Sequence, residues 1–423
     1  MSDRLFTLLC RKRIKIGQMK RRVYHTIIKP LLKGIVTIVL VAIMAIIATS
    51  ISPIYNFPAA QPFSGPDIFN PYSNIDSVEY WKRANFHTHT RVEGILNECE
   101  LWPQEVWEEY AKFGYDIVTF SNHNELTTHP FDARLQINLY EHGYNLLKFH
   151  KLVFGAKEVS HFDHLLPILP SQRQFQLDIL GEQSDIIQFN HPLRTHLTTK
   201  QMMQLLEGYE LIELDSGRST TNEYWDWALS AGRYSFATLN DDLHYPDRSS
   251  RFAIRTTYLG AKSATTEDII ATLRSGCFYS VRVPDYGAGD WSVKREANMT
   301  LPKVVNIGAC GDTLFMRLSS PAEQIRVIGQ DHSLLSRATH SDSIVYVMRG
   351  GDAYARFVAS YPDSLIIMSN PFARYDSSRA SSPADRSYYV PNIPATVGYN
   401  LVVVLLIGGV LYCYVNIVKR WRR

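Results

Sequence analysis

At 423 residues, 45% hydrophobic and 20% charged, the chain is long enough for one large domain and a smaller one. Its charge is unevenly placed: the first 33 residues carry +9 and the last five +4 of a whole-chain net of +3, which leaves −10 between them. An acidic middle excludes nonspecific nucleic-acid binding, which needs phosphate neutralisation. The wide spacing of Cys99, Cys277 and Cys310 excludes a disulfide framework or a cysteine zinc motif.

In chain order, residues 1–33 are a basic tail in which ten Lys and Arg oppose only Asp3. Residues 34–51 (GIVTIVLVAIMAIIATSI) carry no charge and are just long enough for a tilted transmembrane helix. Residues 52–80, rich in Pro, Asn and Ser, read as a spacer. Over residues 81–285, strand-like runs alternate with amphipathic segments. The strands are expected at 84–87, 116–121, 152–156, 165–169, 185–189, 210–214 and 235–239; helices are expected at 103–113, 132–149, 199–206 and 222–231. Alternation of this kind argues for a parallel sheet, and seven strands suggest a barrel. A last helix at 265–275 has Thr265 or Thr266 to cap it and Gly276 to end it. Residues 286–374 hold short strand-like runs split by Gly, Asp, Ser and Pro, a small β-sandwich-like module. Within it, Asn298-Met299-Thr300 matches a glycosylation acceptor.

A second polar spacer, 375–396, leads to a second apolar run at 397–418 and a basic end at 419–423. Positive charge flanking both runs places both ends in the cytoplasm and the acidic portion outside, as an uncleaved two-pass protein of a bacterial inner membrane. Lipid headgroups are the expected partner of the basic tails.

The chemistry sits at the ends of the expected strands. His87 and His89, at i and i+2, share one face of a strand. Glu93 follows them, His123 follows the second strand, and Glu158 follows the third. His164 opens the fourth, His191 follows the fifth, and Asp242 and His244 follow the seventh. A lone His at a strand end is usually a solvated loop residue, and Asn240 and Asp241 are ordinary turn formers. Their recurrence is what single-residue readings leave unexplained, since barrel enzymes place their chemistry at the C-terminal strand ends. Mixed His and carboxylate ligation without Cys suits zinc, manganese or iron. Arg194 and Arg218 stand near the same rim, where either can fork onto a phosphate or simply face solvent.

The stretches NFHTHT, DIVTFSNHNEL, GAKEVS, FNHP and NDDLH resemble, in this order, the motifs of the PHP (polymerase and histidinol phosphatase) superfamily. The IIATLRSGCFYSV stretch is similar to the ending of its carbaryl-hydrolase-related branch. The resemblance covers about half the chain and implies a distorted (β/α)7 barrel with two or three divalent metal ions. It implies metal ligation by His87, His89, Glu93, His123, Glu158, His164, His191, Asp242 and His244, with Glu158 bridging. Glu93 departs from the usual Asp in length and spacing, and Asn122 replaces the usual Asp beside His123. Close cations would acidify a bridging water and offset charge on substrate oxygens. His191, Asp242 and His244 are thus ligands first and acid–base groups second, with Arg194 and Arg218 on the substrate. The expected function is a membrane-anchored metal-dependent phosphoesterase or phosphodiesterase. Its substrate would be a phosphorylated small molecule, lipid or envelope polymer. The alternatives are amide or carbamate hydrolysis on the same fold, or a catalytically weak barrel serving as a binding or sensory module.

Overall fold

The computed structural model describes residues 18–20, 22–75, 81–93, 97–127, 137–214, 223–244, 251–285, 291–385 and 389–422. The two chain ends, to Ser52 and from Ile393, make one unit, and Pro53–Asn392 another.

The first unit pairs helix Lys29–Ala48 with helix Ile393–Arg422, both long and apolar enough to cross a membrane. Each begins a few residues before the uncharged run that signals it. Pro394 stands in the first turn of its helix, where a missing N–H leaves no hydrogen bond unmade; Pro30 follows a π-turn at Tyr24–Ile28. The helices run antiparallel: Lys33 Nζ donates to the Trp421 carbonyl at 3.3 Å, and toward the other end Tyr399 Oη donates to Ser50 O at 3.0 Å.

The second unit is mixed α/β. Its strands are β1 (Tyr55–Asn56), β2 (Asp67–Phe69), β3 (Trp81–Asn85), β4 (Ile117–Val118), β5 (Leu139–His142) and β6 (Lys151–Phe154). Next come β7 (Ile186–Phe189), β8 (Leu211–Glu213), β9 (Phe236–Thr238), β10 (Arg255–Gly260) and β11 (Phe278–Arg282). The chain then forms β12 (Val304–Cys310), β13 (Thr313–Gly329), β14 (Ser333–Val347), β15 (Tyr354–Ser360), β16 (Ile366–Ser369), β17 (Phe372–Tyr375) and β18 (Val390–Pro391). One sheet holds β5-β6-β7-β8-β9; an eleven-stranded sheet runs β12-β13-β15-β16-β11-β10-β3-β4, with β14, β17 and β2 attached. Strands of the C-terminal β region therefore join β10 and β11, through the β11–β16 pair, instead of making a sheet of their own.

Among the described residues these pairings do not close the expected seven-stranded ring. The β3–β4, β7–β8 and β8–β9 pairs are parallel, but β6 runs antiparallel to both β5 and β7. Between the two sheets the described residues make two isolated parallel bridges, His123 to Glu141 and Thr88 to Leu243, and side-chain links such as Thr257 Oγ1, which bonds both the N–H and the carbonyl of Leu239. β4 and β9 are two and three residues long, too short to carry full ladders.

Helices cover the sheets where expected at Pro103–Ala111, Lys200–Leu205, Glu223–Ser230 and Thr266–Ser275. Thr199 and Thr265 cap two of them by accepting the backbone N–H of Met202 and Asp268. Gly276 ends the last with φ +75°, a left-handed turn that suits a residue without Cβ. Four expectations fail. The helix foreseen at 132–149 is β5 and loop in its described part, and 165–169 is irregular, leading to an unforeseen helix Pro170–Gly181. There Pro167 cannot donate to a ladder and its carbonyl is taken by Arg173 Nε at 3.0 Å. Asn298 is buried, donates to Lys294 O and accepts from Arg83, so it is no glycan acceptor in this fold. The stretch foreseen as a first spacer buries Phe63 and Tyr72. The core itself is apolar side chains between sheet and helices, among them Phe86, Phe154, Phe189, Leu211, Ile212 and Trp225.

Candidate metal centre

Glu141 is the hub. It is the third residue of β5, buried, and its neighbour Gly143 turns the chain at φ +125°. Its Oε2 lies 3.1 Å from His87 Nε2, 3.2 Å from His89 Nε2 and 3.2 Å from His123 Nε2. Its Oε1 lies 3.2 Å from His150 Nδ1 and 3.3 Å from His191 Nε2, and accepts from Asn190 Nδ2 at 2.9 Å.

Strand ends deliver these side chains. His87 and His89 leave β3 on one side, their rings 5.4 Å apart, and the backbone is held by His89 N–H to Leu243 O at 2.8 Å. The parallel bridge of His123 to Glu141 sets those two side by side. His191 follows β7 with φ +29°, and Asp242 follows β9 with φ +49°. Left-handed backbone at a residue other than Gly costs free energy and persists only where the surroundings fix it. Asp242 Oδ1 then lies 3.2 Å from His87 Nε2 and 3.4 Å from His89 Nε2. His244 stacks on His89 at 4.3 Å and reaches 3.5 Å from Asp242 Oδ1. Behind the site, buried Glu213 accepts from His87 Nδ1 at 2.9 Å and Asn240 Nδ2 at 3.2 Å, fixing which ring nitrogen faces Glu141.

Three sets of donor atoms lie close enough together to hold a cation: His87, His89, Glu141 and Asp242; His89, Glu98 and His123; and His123, Glu141 and His150. Although surrounded by carboxylates, His87 Nε2 and His89 Nε2 make no hydrogen bond among the described residues. Convergent donors without hydrogen-bond geometry are what a cation satisfies. Electrostatics agree. Burial alone would raise Glu141, but His123, His87 and His150 hold its carboxyl well below the usual range. Burial likewise opposes ionisation of Asp242, and His87, His244, His89 and Arg194 overturn it. His87 is pushed well up, against burial, by Glu213, Glu141 and Asp242, whereas burial draws His123 and His150 down.

Of the residues singled out in the sequence, the structure brings together His87, His89, His123, His191, Asp242 and His244. It does not bring Glu93, Glu158 or His164 to them. Glu93 is exposed; Glu98, five residues on, lies 3.2 Å from His89 Nδ1 and 3.6 Å from His123 Nε2. Glu158 follows β6, which runs antiparallel to β5 and β7, so it is exposed beyond the far end of that sheet. His150, just before β6, comes to the centre instead. His164 is buried between Phe162 and Phe175, ring centroids 5.0 and 6.0 Å away. Arg194 is ion-paired with Asp242, and Arg218 lies outside the described residues. Asn122, in place of the usual Asp, is anchored to Thr90 through its N–H at 2.8 Å and its Oγ1 at 2.7 Å.

Glu98, Glu141, His150 and Glu213 were missed. Glu141 was legible only as Leu139-Tyr140-Glu141-His142-Gly143, a short aromatic strand stopped by glycine, hidden inside a stretch read as helix.

No family model and no curated protein matches the chain. Among solved structures, it is similar to a two-domain protein from Bacteroides vulgatus described as containing a predicted PHP-like metal-dependent phosphoesterase. The identity is 15% and the TM-score 0.35, and the match covers 75% of this chain and 99% of that one.

Proposed function

We propose that the chain is a membrane-anchored, metal-dependent phosphoesterase on a PHP-type scaffold. The observation that carries it is one buried carboxylate, Glu141, within 3.3 Å of five imidazoles, with Asp242 facing two of the same rings. His87, His89, Glu141 and Asp242 would hold one cation, and His123, Glu141 and His150 a second, with Glu98 on a third set. Divalent cations there would acidify a bound water and neutralise charge on substrate oxygens.

The chain's own residues do the rest. Glu213 keeps His87 in one tautomer, and Asn190 holds Glu141 in place from behind. Arg194 spends one guanidinium nitrogen on Asp242, leaving other N–H groups to bind and orient a phosphate. His244 is one-third exposed beside Asp242, at a place where its Nε2 can pass a proton to a leaving oxygen. The paired apolar helices, with basic flanks at both chain ends, support anchoring with those ends in the cytoplasm and the catalytic unit outside, in a bacterial inner membrane.

The test uses the full-length protein in detergent. Chelation should abolish hydrolysis of bis-p-nitrophenyl phosphate, and zinc, manganese or iron(II) should restore it. Turnover of an aryl carbamate in its place would reassign the chemistry to amide or carbamate hydrolysis. Turnover of neither by the metal-loaded protein would make the chain a binding module.

A further inference from the structure

Three loops beside the metal centre carry large apolar side chains in solvent: Leu146, Phe162, Ile168, Leu169, Leu193 and Leu197 are each 36–61% exposed. Scattered singly, exposed apolar residues need no explanation; here they share one built surface. The N–H of Leu146 bonds Leu165 O at 2.9 Å, and that of His196 bonds Leu147 O at 2.8 Å. Buried Arg173 ties the other two loops together, donating to Pro167 O at 3.0 Å, His196 O at 2.7 Å and Thr198 Oγ1 at 3.0 Å. The rim abuts the site: Leu193 is two residues past His191, and Tyr144, two before Leu146, packs its ring 5.0 Å from His123.

The chain enters and leaves this unit beside the helix that follows one of these loops. β1 pairs with β18, and Asn392 N–H bonds Ile54 O at 2.7 Å, so both connections emerge side by side. That ribbon is fastened to helix Pro170–Gly181: Tyr55 N–H bonds Ser171 Oγ at 3.0 Å, and the Tyr55 and Tyr389 hydroxyls bond Asp178 at 2.6 and 2.5 Å. Ser171 is two residues after exposed Leu169.

We propose that this apolar rim seats on the lipid bilayer and that the substrate is a phosphate ester carried by a membrane lipid, drawn from that bilayer into the metal centre. The proposal rests on the phosphoesterase reading for its chemistry and on the rim and tethers for its substrate. An apolar surface placed at the headgroup boundary lowers the cost of lifting an acyl chain partly out of the bilayer, while the cations and Arg194 take the phosphate.

The experiment uses the full chain in phosphatidylethanolamine–phosphatidylglycerol vesicles. Cys10, Cys310 and Cys413 are changed to Ser, and an environment-sensitive fluorophore is placed at Ile168→Cys or Leu197→Cys. Lys262→Cys is the control; it is exposed just beyond the β10 end that pairs with the start of β3. Blue-shifted emission, quenched by lipids with chain-borne quenchers at 168 and 197 but not at 262, is expected. In parallel, the triple variant Leu146→Asp/Ile168→Asp/Leu197→Asp should lose about tenfold or more in hydrolysis of vesicle phospholipid. Its turnover of soluble bis-p-nitrophenyl phosphate should stay at the wild-type level.

Water-exposed labels at 168 and 197 would overturn the proposal, as would lipid turnover untouched by the triple variant. Labels shielded but not quenched would overturn it too, assigning the face to a second copy of the chain. Wild-type protein that hydrolyses the soluble diester but no lipid refutes this inference alone. Wild-type protein that hydrolyses neither refutes the phosphoesterase reading with it.

Discussion

Two buried carboxylates in this molecule, Glu141 and Asp226, have opposite surroundings. Asp226, on helix Glu223–Ser230, accepts from Arg356 Nε at 3.0 Å, Arg356 Nη2 at 2.7 Å and Tyr354 Oη at 3.1 Å, and is bonded by His332. Its charge is met by a fixed guanidinium in good geometry, and it clamps the β13–β14 turn to the helix. Glu141 faces five imidazoles, and two of the nitrogens nearest its Oε2 make no hydrogen bond among the described residues. One cluster is satisfied within the protein; the other leaves inward-facing imidazole nitrogens unbonded, in an arrangement that could hold a cation. Burial and charge are alike in the two, so the difference between a structural carboxylate and a candidate metal ligand lies in the donors' directions.

The comparison can be broken by exchange. Glu141→Gln removes the charge every donor set but one shares; soluble diester hydrolysis should fall on the order of 10³-fold with the fold intact by circular dichroism. Asp226→Asn should do the reverse, costing about 3–5 kcal/mol in denaturant unfolding while metal content and turnover persist. The pH dependence sharpens this. Burial opposes ionisation of Asp226, but Arg356 and His332 outweigh it, so its carboxyl is held below the usual value. The wild-type advantage over Asp226→Asn should therefore be fully present above the ordinary carboxylate pKa of about 4, and fade only as pH falls through the lowered folded-state value.

How much of this was legible in the sequence depended on strand direction. The clustered residues at the C-terminal ends of β3, β7 and β9 could be read because those strands run as a barrel pattern expects. β6 runs the other way, which brings His150, before the strand, to the cluster and leaves Glu158, after it, away from it. Glu141 was lost because β5 is four residues long and has no alternation to separate it from a helix. The two apolar helices stood out through absence of charge, whereas the membership of β12 to β17 in one large sheet depends on pairings no local pattern encodes.

Smaller effects test the finer assignments. Glu213→Gln keeps the size of the group behind His87 but not its charge, and should weaken metal affinity by roughly 10–100-fold, read by chelator competition. Glu158→Ala should change neither turnover nor metal content, and stability by no more than about 0.5 kcal/mol. Lost activity in that variant would return Glu158 to the site and contradict the role given to His150.

The most direct measurement counts metal ions per chain, by mass spectrometry on the full-length protein after manganese or zinc loading and desalting. Two or more ions in the wild type, with fewer in Glu141→Gln, is the predicted result. A wild type that retains none, or a Glu141→Gln variant that retains as many, would contradict a centre built on Glu141.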